Sequence, residues 1–151
     1  MNREGAIQFT YFLLRVVAGL IFMQAGGMKI LGWFGGIPAE FGGPPAMWTQ
    51  TWIGGMMELI GGALIILGLF TRPVAFLLAG EMAVAYWQMH YAGGPAGGNP
   101  LNAPWTWPIE NKGEPAALFC FIFLFMSAFG GQRLSLDWLI WGNRKAPSTE
   151  P

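Results

Sequence analysis

Six ionisable side chains occupy positions where an apolar sequence should carry none. Arg15, Lys29, Glu58 and Glu81 lie inside long apolar runs, and His90 and Glu114 lie at the ends of such runs. In hydrocarbon, an ionisable group costs at least ~2.5–3.5 kcal/mol to insert, so each one needs a partner or a task. Lys29 offers a fixed positive charge for a carbonyl oxygen or an anion. Glu58 is an acceptor of protons, His90 is the natural proton exchanger, and Glu114 could orient either one. Such a set fits an anionic or quinone-like head group, or a proton shuttle. It does not fit a metal site, because it lacks histidine pairs and thiolates. Haem held by two histidines is excluded, since His90 is the only histidine.

The elements that position these groups follow from composition and run length. Apolar residues make up 54% of the 151 residues and charged residues 11%, against roughly a quarter charged in ordinary globular chains. A soluble domain of this size has too little polar surface here to cover itself. The formal net charge is zero, so no nucleic-acid partner is expected. Cys120 is the only cysteine; it forms no internal disulfide and reads as an apolar packing residue. No cleavage signal follows the first apolar run, so a removed signal peptide is not expected.

A helix crosses a bilayer in about 20 mostly apolar residues. Phe9 to Leu31, Trp52 to Phe70 and Pro73 to Tyr91 meet that length, and a shorter run, Pro115 to Phe129, extends toward residues 113 and 131. Thr71-Arg72-Pro73 joins the second and third runs as an antiparallel hairpin, with proline suited to a first helical turn. The fold class is therefore an all-α membrane protein, a four-transmembrane-helix bundle forming one domain over residues 1–142. Residues 143–151 form a polar cytoplasmic tail. Gly32 to Gln50 and Ala92 to Lys112, rich in Gly, Pro and Trp, form long connections at one end of the bundle. Leu134 to Trp141 reads as a short interfacial helix. Arg3, Arg72, Arg133, Arg144 and Lys145 flank one side, and Lys29 and Lys112 the other. The excess of positive flanks predicts that both termini are cytoplasmic and that the long connections face outward.

Helical spacing then sorts the charges into faces. Arg15, Gly19, Phe22, Gly26 and Lys29 share a face of the first helix; Gly54, Glu58, Gly61, Ile65 and Gly68 share one on the second. Small residues on such stripes let helices approach closely in lipid, which predicts that Gly61 lies against another helix. Glu81, Ala85 and Gln88 form the stripe of the third helix, and Glu114, Ala117, Phe121 and Leu124 that of the fourth. By depth, Arg15 and Glu81 read as a buried ion pair in the inner-to-middle zone, and Lys29 pairs with Glu58 near the outer mouth. Lys29, Glu58, His90 and Glu114 read as a polar pocket near the outer leaflet, with Trp105 and Trp107 as its lid. The blander alternative is that all these charges are ion pairs locking helices together.

The ordered motifs resemble the DoxX family of small four-helix bacterial membrane proteins. The resemblance rests on Arg15-Val-Val-Ala-Gly-Leu-Ile-Phe22 with Gly26, Gly27 and Lys29, and on Glu58-Leu-Ile-Gly-Gly-Ala-Leu64 followed by Gly68-Leu-Phe-Thr-Arg72. It continues through His90-Tyr-Ala-Gly-Gly94, Asn111-Lys-Gly-Glu114 and Gly130-Gly-Gln-Arg-Leu-Ser-Leu-Asp137. The resemblance implies a prokaryotic plasma (inner) membrane and an association with redox metabolism. No dithiol pair, dinucleotide fingerprint or cluster motif is present, so there is no intrinsic cofactor. Any redox group is then a bound quinone or belongs to a partner. The expected partners are the lipid bilayer and a homo-oligomer or larger membrane complex. The first functional reading is a membrane-embedded subunit of a quinone-linked oxidoreductase system. The alternatives are a non-catalytic accessory or assembly subunit and, third, a small proton-coupled carrier.

Overall fold

The computed structural model describes residues 2–91 and 108–142. Trp105 and Trp107, the expected lid, lie outside the described residues, as does the tail at 143–151.

The first helix, α1 (Arg3–Leu31), starts six residues before the expected Phe9. The reason is local: the Asn2 side chain accepts the amide of Gly5 at 2.9 Å, and Glu4 complements the positive end of the helix. At its far end Gly32, with φ 69°, turns the chain and returns its N–H to Gly27. Two short 3-10 turns, Trp33–Gly35 and Ala39–Phe41, follow. The first of them brings the Trp33 ring directly over Gly27, so the first long connection does fold back on the helix end.

Thr49 caps α2 (Gln50–Leu67) by accepting from Trp52, and Gly68, with φ 67°, closes it. Next comes α3 (Thr71–Ala85), which continues through a π-helical turn at Tyr86–Tyr91 instead of remaining α-helical. A single turn, α4 (Pro108–Asn111), precedes α5 (Glu114–Phe129). The chain then reaches the short α6 (Leu136–Trp141), whose start is capped by Ser135 accepting from Trp138 at 3.1 Å. The described residues are all helix and connection.

Four long helices share one core. α1 lies chiefly on α2 and α3 on α5, with a narrower contact between α2 and α3. Phe22 of α1 meets Phe123 of α5 at 4.6 Å between ring centroids, and Ile65, Leu78 and Met126 are fully buried around them. The α1–α2 seam is nearly side-chain-free. A Cβ on Gly62 would sit 2.7 Å from the Gly19 carbonyl oxygen, and one on Gly26 would sit 2.5 Å from that of Gly55. Gly61 faces the other way, its notional Cβ 2.8 Å from Leu78, so it does lie against another helix.

Large apolar side chains point outward: Val17 and Ile21 on α1, Ile60 on α2, Phe76 and Leu77 on α3, Leu118 and Phe121 on α5. Small residues at the α1–α2 seam and large apolar ones on the outside suit lipid better than water. Two helices, Arg3–Leu31 and Gln50–Leu67, are long and apolar enough to cross a membrane, and α5 is a shorter apolar helix.

One expected face is corrected. On α5 the inward stripe is Ala116, Phe119, Phe123 and Met126, whereas Glu114, Phe121 and Leu124 are exposed. The aromatic side of α5 complements Phe22, and Glu114 is left at the helix start, where an acidic group suits the positive end.

Candidate functional site

At the loop end, Lys29 reaches across from the last turn of α1. Its Nζ donates to Glu58 Oε1 at 2.6 Å and to Oε2 at 2.7 Å. The Glu58 side chain is only 6% exposed and that of Lys29 24%, so the pair is largely out of solvent. Glycines make the geometry possible. Gly26 and Gly55 let the two backbones touch one turn from the pair, and a Cβ on Gly55 would lie 3.0 Å from Lys29 Cβ.

Glu81 joins this pair from α3. Its Oε1 lies 3.0 Å from where a Gly54 Cβ would stand, one helical turn from Glu58. Its Oε2 is buried and has no hydrogen-bond partner among the described residues. The cluster therefore holds two carboxyl groups and one ammonium, with both Glu58 oxygens engaged by Lys29 and, among the described residues, no ion pair to Glu81.

That arrangement corrects the expected Arg15–Glu81 ion pair. Arg15 is 1% exposed, but its guanidinium faces the terminal end of the bundle. Nη1 donates to the Gly131 carbonyl at 2.6 Å, and Nη2 donates to that of Leu134. The physical reason is register. Glu58 and Glu81 lie nine and ten residues from the ends of their helices at the α2–α3 turn, or about 14 and 15 Å along each axis, so they are level. Arg15 is level with the turn itself, since a Cβ on Gly68 would meet its Nη1 at 2.6 Å.

His90 and Glu114 belong to a neighbouring arrangement. The π turn directs His90 Nδ1 to the Asn111 carbonyl at 3.0 Å, and the Asn111 amide donates to Tyr86 Oη at 3.4 Å. Asn111 Oδ1 accepts the Gly113 amide at 2.8 Å, which fixes the entry to α5. Among the described residues, no hydrogen bond or ion pair joins His90 or Glu114 to Lys29 or Glu58. In the π turn, Gln88 is exposed and accepts a hydrogen bond from Gln50 of α2.

The terminal end carries a second polar assembly that charge placement alone does not reveal. Asp137 accepts the amides of Phe70 and Thr71 at 2.7 and 2.8 Å, capping α3 from the far end of the chain, and its own N–H donates to Gly68 at 2.9 Å. Tyr11 Oη donates to the Gly130 carbonyl at 2.7 Å. The signal for this assembly is the glycine pair at 130 and 131 followed by Ser135 and Asp137.

Comparison with known proteins agrees with these motifs. The sequence profile of the DoxX family matches residues 10–91, which span Arg15, Lys29, Glu58, Glu81 and His90. An uncharacterized protein of Haemophilus influenzae is 37% identical over 132 residues, covering 84% of this chain and 89% of that one. No solved structure matches. A profile match over more than half of the chain, with a relative this similar across most of both lengths, makes the protein a member of the DoxX family.

Proposed function

We propose that this protein is a membrane-embedded subunit of a quinone-linked, redox-associated oxidoreductase system. In this reading all four long helices cross a prokaryotic plasma membrane, both termini are cytoplasmic, and the loop end faces outward. The bound group is a quinone and not a built-in cofactor, and the chain works in a homo-oligomer or larger membrane complex. The outward apolar surfaces of α3 and α5 support four spans, and α3 with its π turn covers 71–91, about 31 Å of rise.

One observation carries the functional reading: Glu81 stands beside an ion pair that is already complete. A helix lock needs Lys29 and Glu58 only. A further carboxylate with an unused buried oxygen costs stability unless it has a task. With the single ammonium already engaged by Glu58, the cluster favours a neutral, hydrogen-bonding head group over an anion.

The accessory-subunit reading also has an observation in its favour. Lys29 engages both oxygens of Glu58 beside the glycine seam, which is the geometry of a lock.

Lys29→Met and Glu58→Gln separate the two. The proposal expects ligand occupancy, or activity of the complex, to be lost per folded molecule. The Lys29→Met/Glu58→Gln double variant guards against simple misfolding, because removing both partners of a buried pair costs less than removing one. Normal occupancy and activity in all folded variants would leave the lock, and the accessory role, in front.

A further inference from the structure

At the terminal end, α6 is tied to the turn where α2 stops and α3 starts. Asp137 accepts the amides of Phe70 and Thr71 at 2.7 and 2.8 Å, and its own N–H donates to the Gly68 carbonyl at 2.9 Å. The Trp141 ring packs on Phe70, with centroids 5.4 Å apart. α6 is therefore held at the level where those two helices end. Its one charged side chain is spent on backbone amides, and beyond it Trp138, Leu139, Ile140 and Trp141 are exposed, Leu139 by 64%. In water such a helix leaves an apolar patch uncovered. At the edge of a bilayer the same side chains sit where tryptophan and short apolar helices are favoured.

Positive charge beside α6 is uncompensated. Arg72, in the first turn of α3, is exposed, and its Nε passes 2.9 Å from where a Gly130 Cβ would stand. Asp137 uses both carboxylate oxygens on the amides, so among the described residues Arg72 has no ion pair. Arg3 and Arg133 are exposed at the same end, and the exposed acid there is Glu4, 3.7 Å from Arg133. Three exposed arginines against one exposed glutamate, bordering an apolar helix, complement negative headgroups above hydrocarbon.

We propose that the terminal end of the bundle is a docking surface for anionic phospholipid. α6 lies in the interface of the leaflet, and the Arg72 guanidinium donates to a lipid phosphate beside it. An acidic soluble protein fits less well, because it supplies negative charge but no hydrocarbon for the exposed side chains of α6. The proposal rests on the spanning helices of the reading above and not on its redox role.

The test titrates the full chain, in micelles of a neutral detergent, with dioctanoyl phosphatidylglycerol, dioctanoyl phosphatidylcholine, inorganic phosphate and a soluble aspartate-rich peptide. Expected is that phosphatidylglycerol binds about fivefold more tightly than phosphatidylcholine, a difference of about 1 kcal/mol for one arginine at a charged lipid surface. Arg72→Gln should remove that advantage and leave phosphatidylcholine binding unchanged, whereas Arg72→Lys, which keeps the charge, should retain most of it. High salt should shrink the advantage in the wild-type chain, which reads the charge without any variant. Leu139→Cys, labelled with a fluorophore in a Cys120→Ala background, reports the depth of α6 in vesicles of the two lipids. The label should be quenched by nitroxides on the lipid chains and shielded from a water-soluble quencher. Equal binding of the two lipids, an advantage that survives Arg72→Gln or high salt, equally tight binding of phosphate or peptide, or a label open to the aqueous quencher overturns the docking surface alone. Failure of the chain to insert into vesicles overturns the spanning reading with it.

Discussion

The two ends of the bundle use charge in opposite ways. At the terminal end, charged groups meet backbone: Arg15 donates to the carbonyls of Gly131 and Leu134, and Asp137 accepts the amides of Phe70 and Thr71. At the loop end, charges meet charges, with Lys29 on Glu58 and Glu81 beside them. Backbone groups cannot leave, so the terminal assembly is a fixed clasp that ties α6 to the α2–α3 turn and to α1. Side-chain charges can exchange partners and protons, so the loop end is the end suited to chemistry. The clasp is not perfectly satisfied either, since Arg15 Nε and Thr71 Oγ1 are buried without partners among the described residues.

Breaking the seam beneath the loop-end cluster should have the largest effect. Gly26→Leu would drive a side chain into the backbone of Leu59 and Gly55, where the helices cannot yield without separating. Overpacking costs typically 1–3 kcal/mol and more where backbone must move, so loss of folded protein, measured as yield and melting temperature in detergent, is the expected outcome. A stable Gly26→Leu protein with Lys29 and Glu58 still paired would show that the glycine seam does not set the cluster.

The clasp should respond next. Arg15→Met removes both donors and leaves the buried Gly131 carbonyl unsatisfied, at about 1–3 kcal/mol. The melting temperature should fall, while ligand occupancy per folded molecule stays unchanged. Lost occupancy in folded Arg15→Met protein would erase the division of labour between the two ends.

The smallest expected effect is the sharpest discriminator. A double-mutant cycle between Arg15 and Glu81 should be additive within about 0.5 kcal/mol, because the two groups sit in separate assemblies. The same cycle between Lys29 and Glu58 should show clear coupling. Coupling of Arg15 to Glu81 comparable to that of Lys29 to Glu58 would mean that the ends are not independent.

Much of this architecture is legible in the residues. Apolar run length locates the long helices, and Gly32, Gly68 and Gly130 mark where they stop. Seven-residue spacing of glycines identifies a close-packed face, because small residues at helical spacing permit approach whatever the partner turns out to be. The Lys29–Glu58 contact is legible as well, since Lys29 lies in the last turn of α1 and Glu58 is the one charged group on the glycine stripe of the adjacent helix. Counting along α2 and α3 from their shared turn also makes Glu58 and Glu81 level. That local ruler is better than the separate depth zones that paired Glu81 with Arg15, because it needs no assumption about where each helix meets the bilayer.

Tertiary structure decided the rest. The caps made by Asn2, Thr49 and Ser135 lie within a few positions of the amides they accept, so sequence determines them. Which face of α5 turns inward depends on Phe22 of another helix, and the inward choice of Phe123 over Phe121 follows from that contact. Arg15 found carbonyls instead of a carboxylate because the chain between α5 and α6 folds back across the bundle to meet it. Asp137 caps a helix that begins 66 residues earlier for the same reason. Backbone groups carry no mark in the sequence that distinguishes a free carbonyl from a used one, and only folding exposes the few that a buried charge can reach.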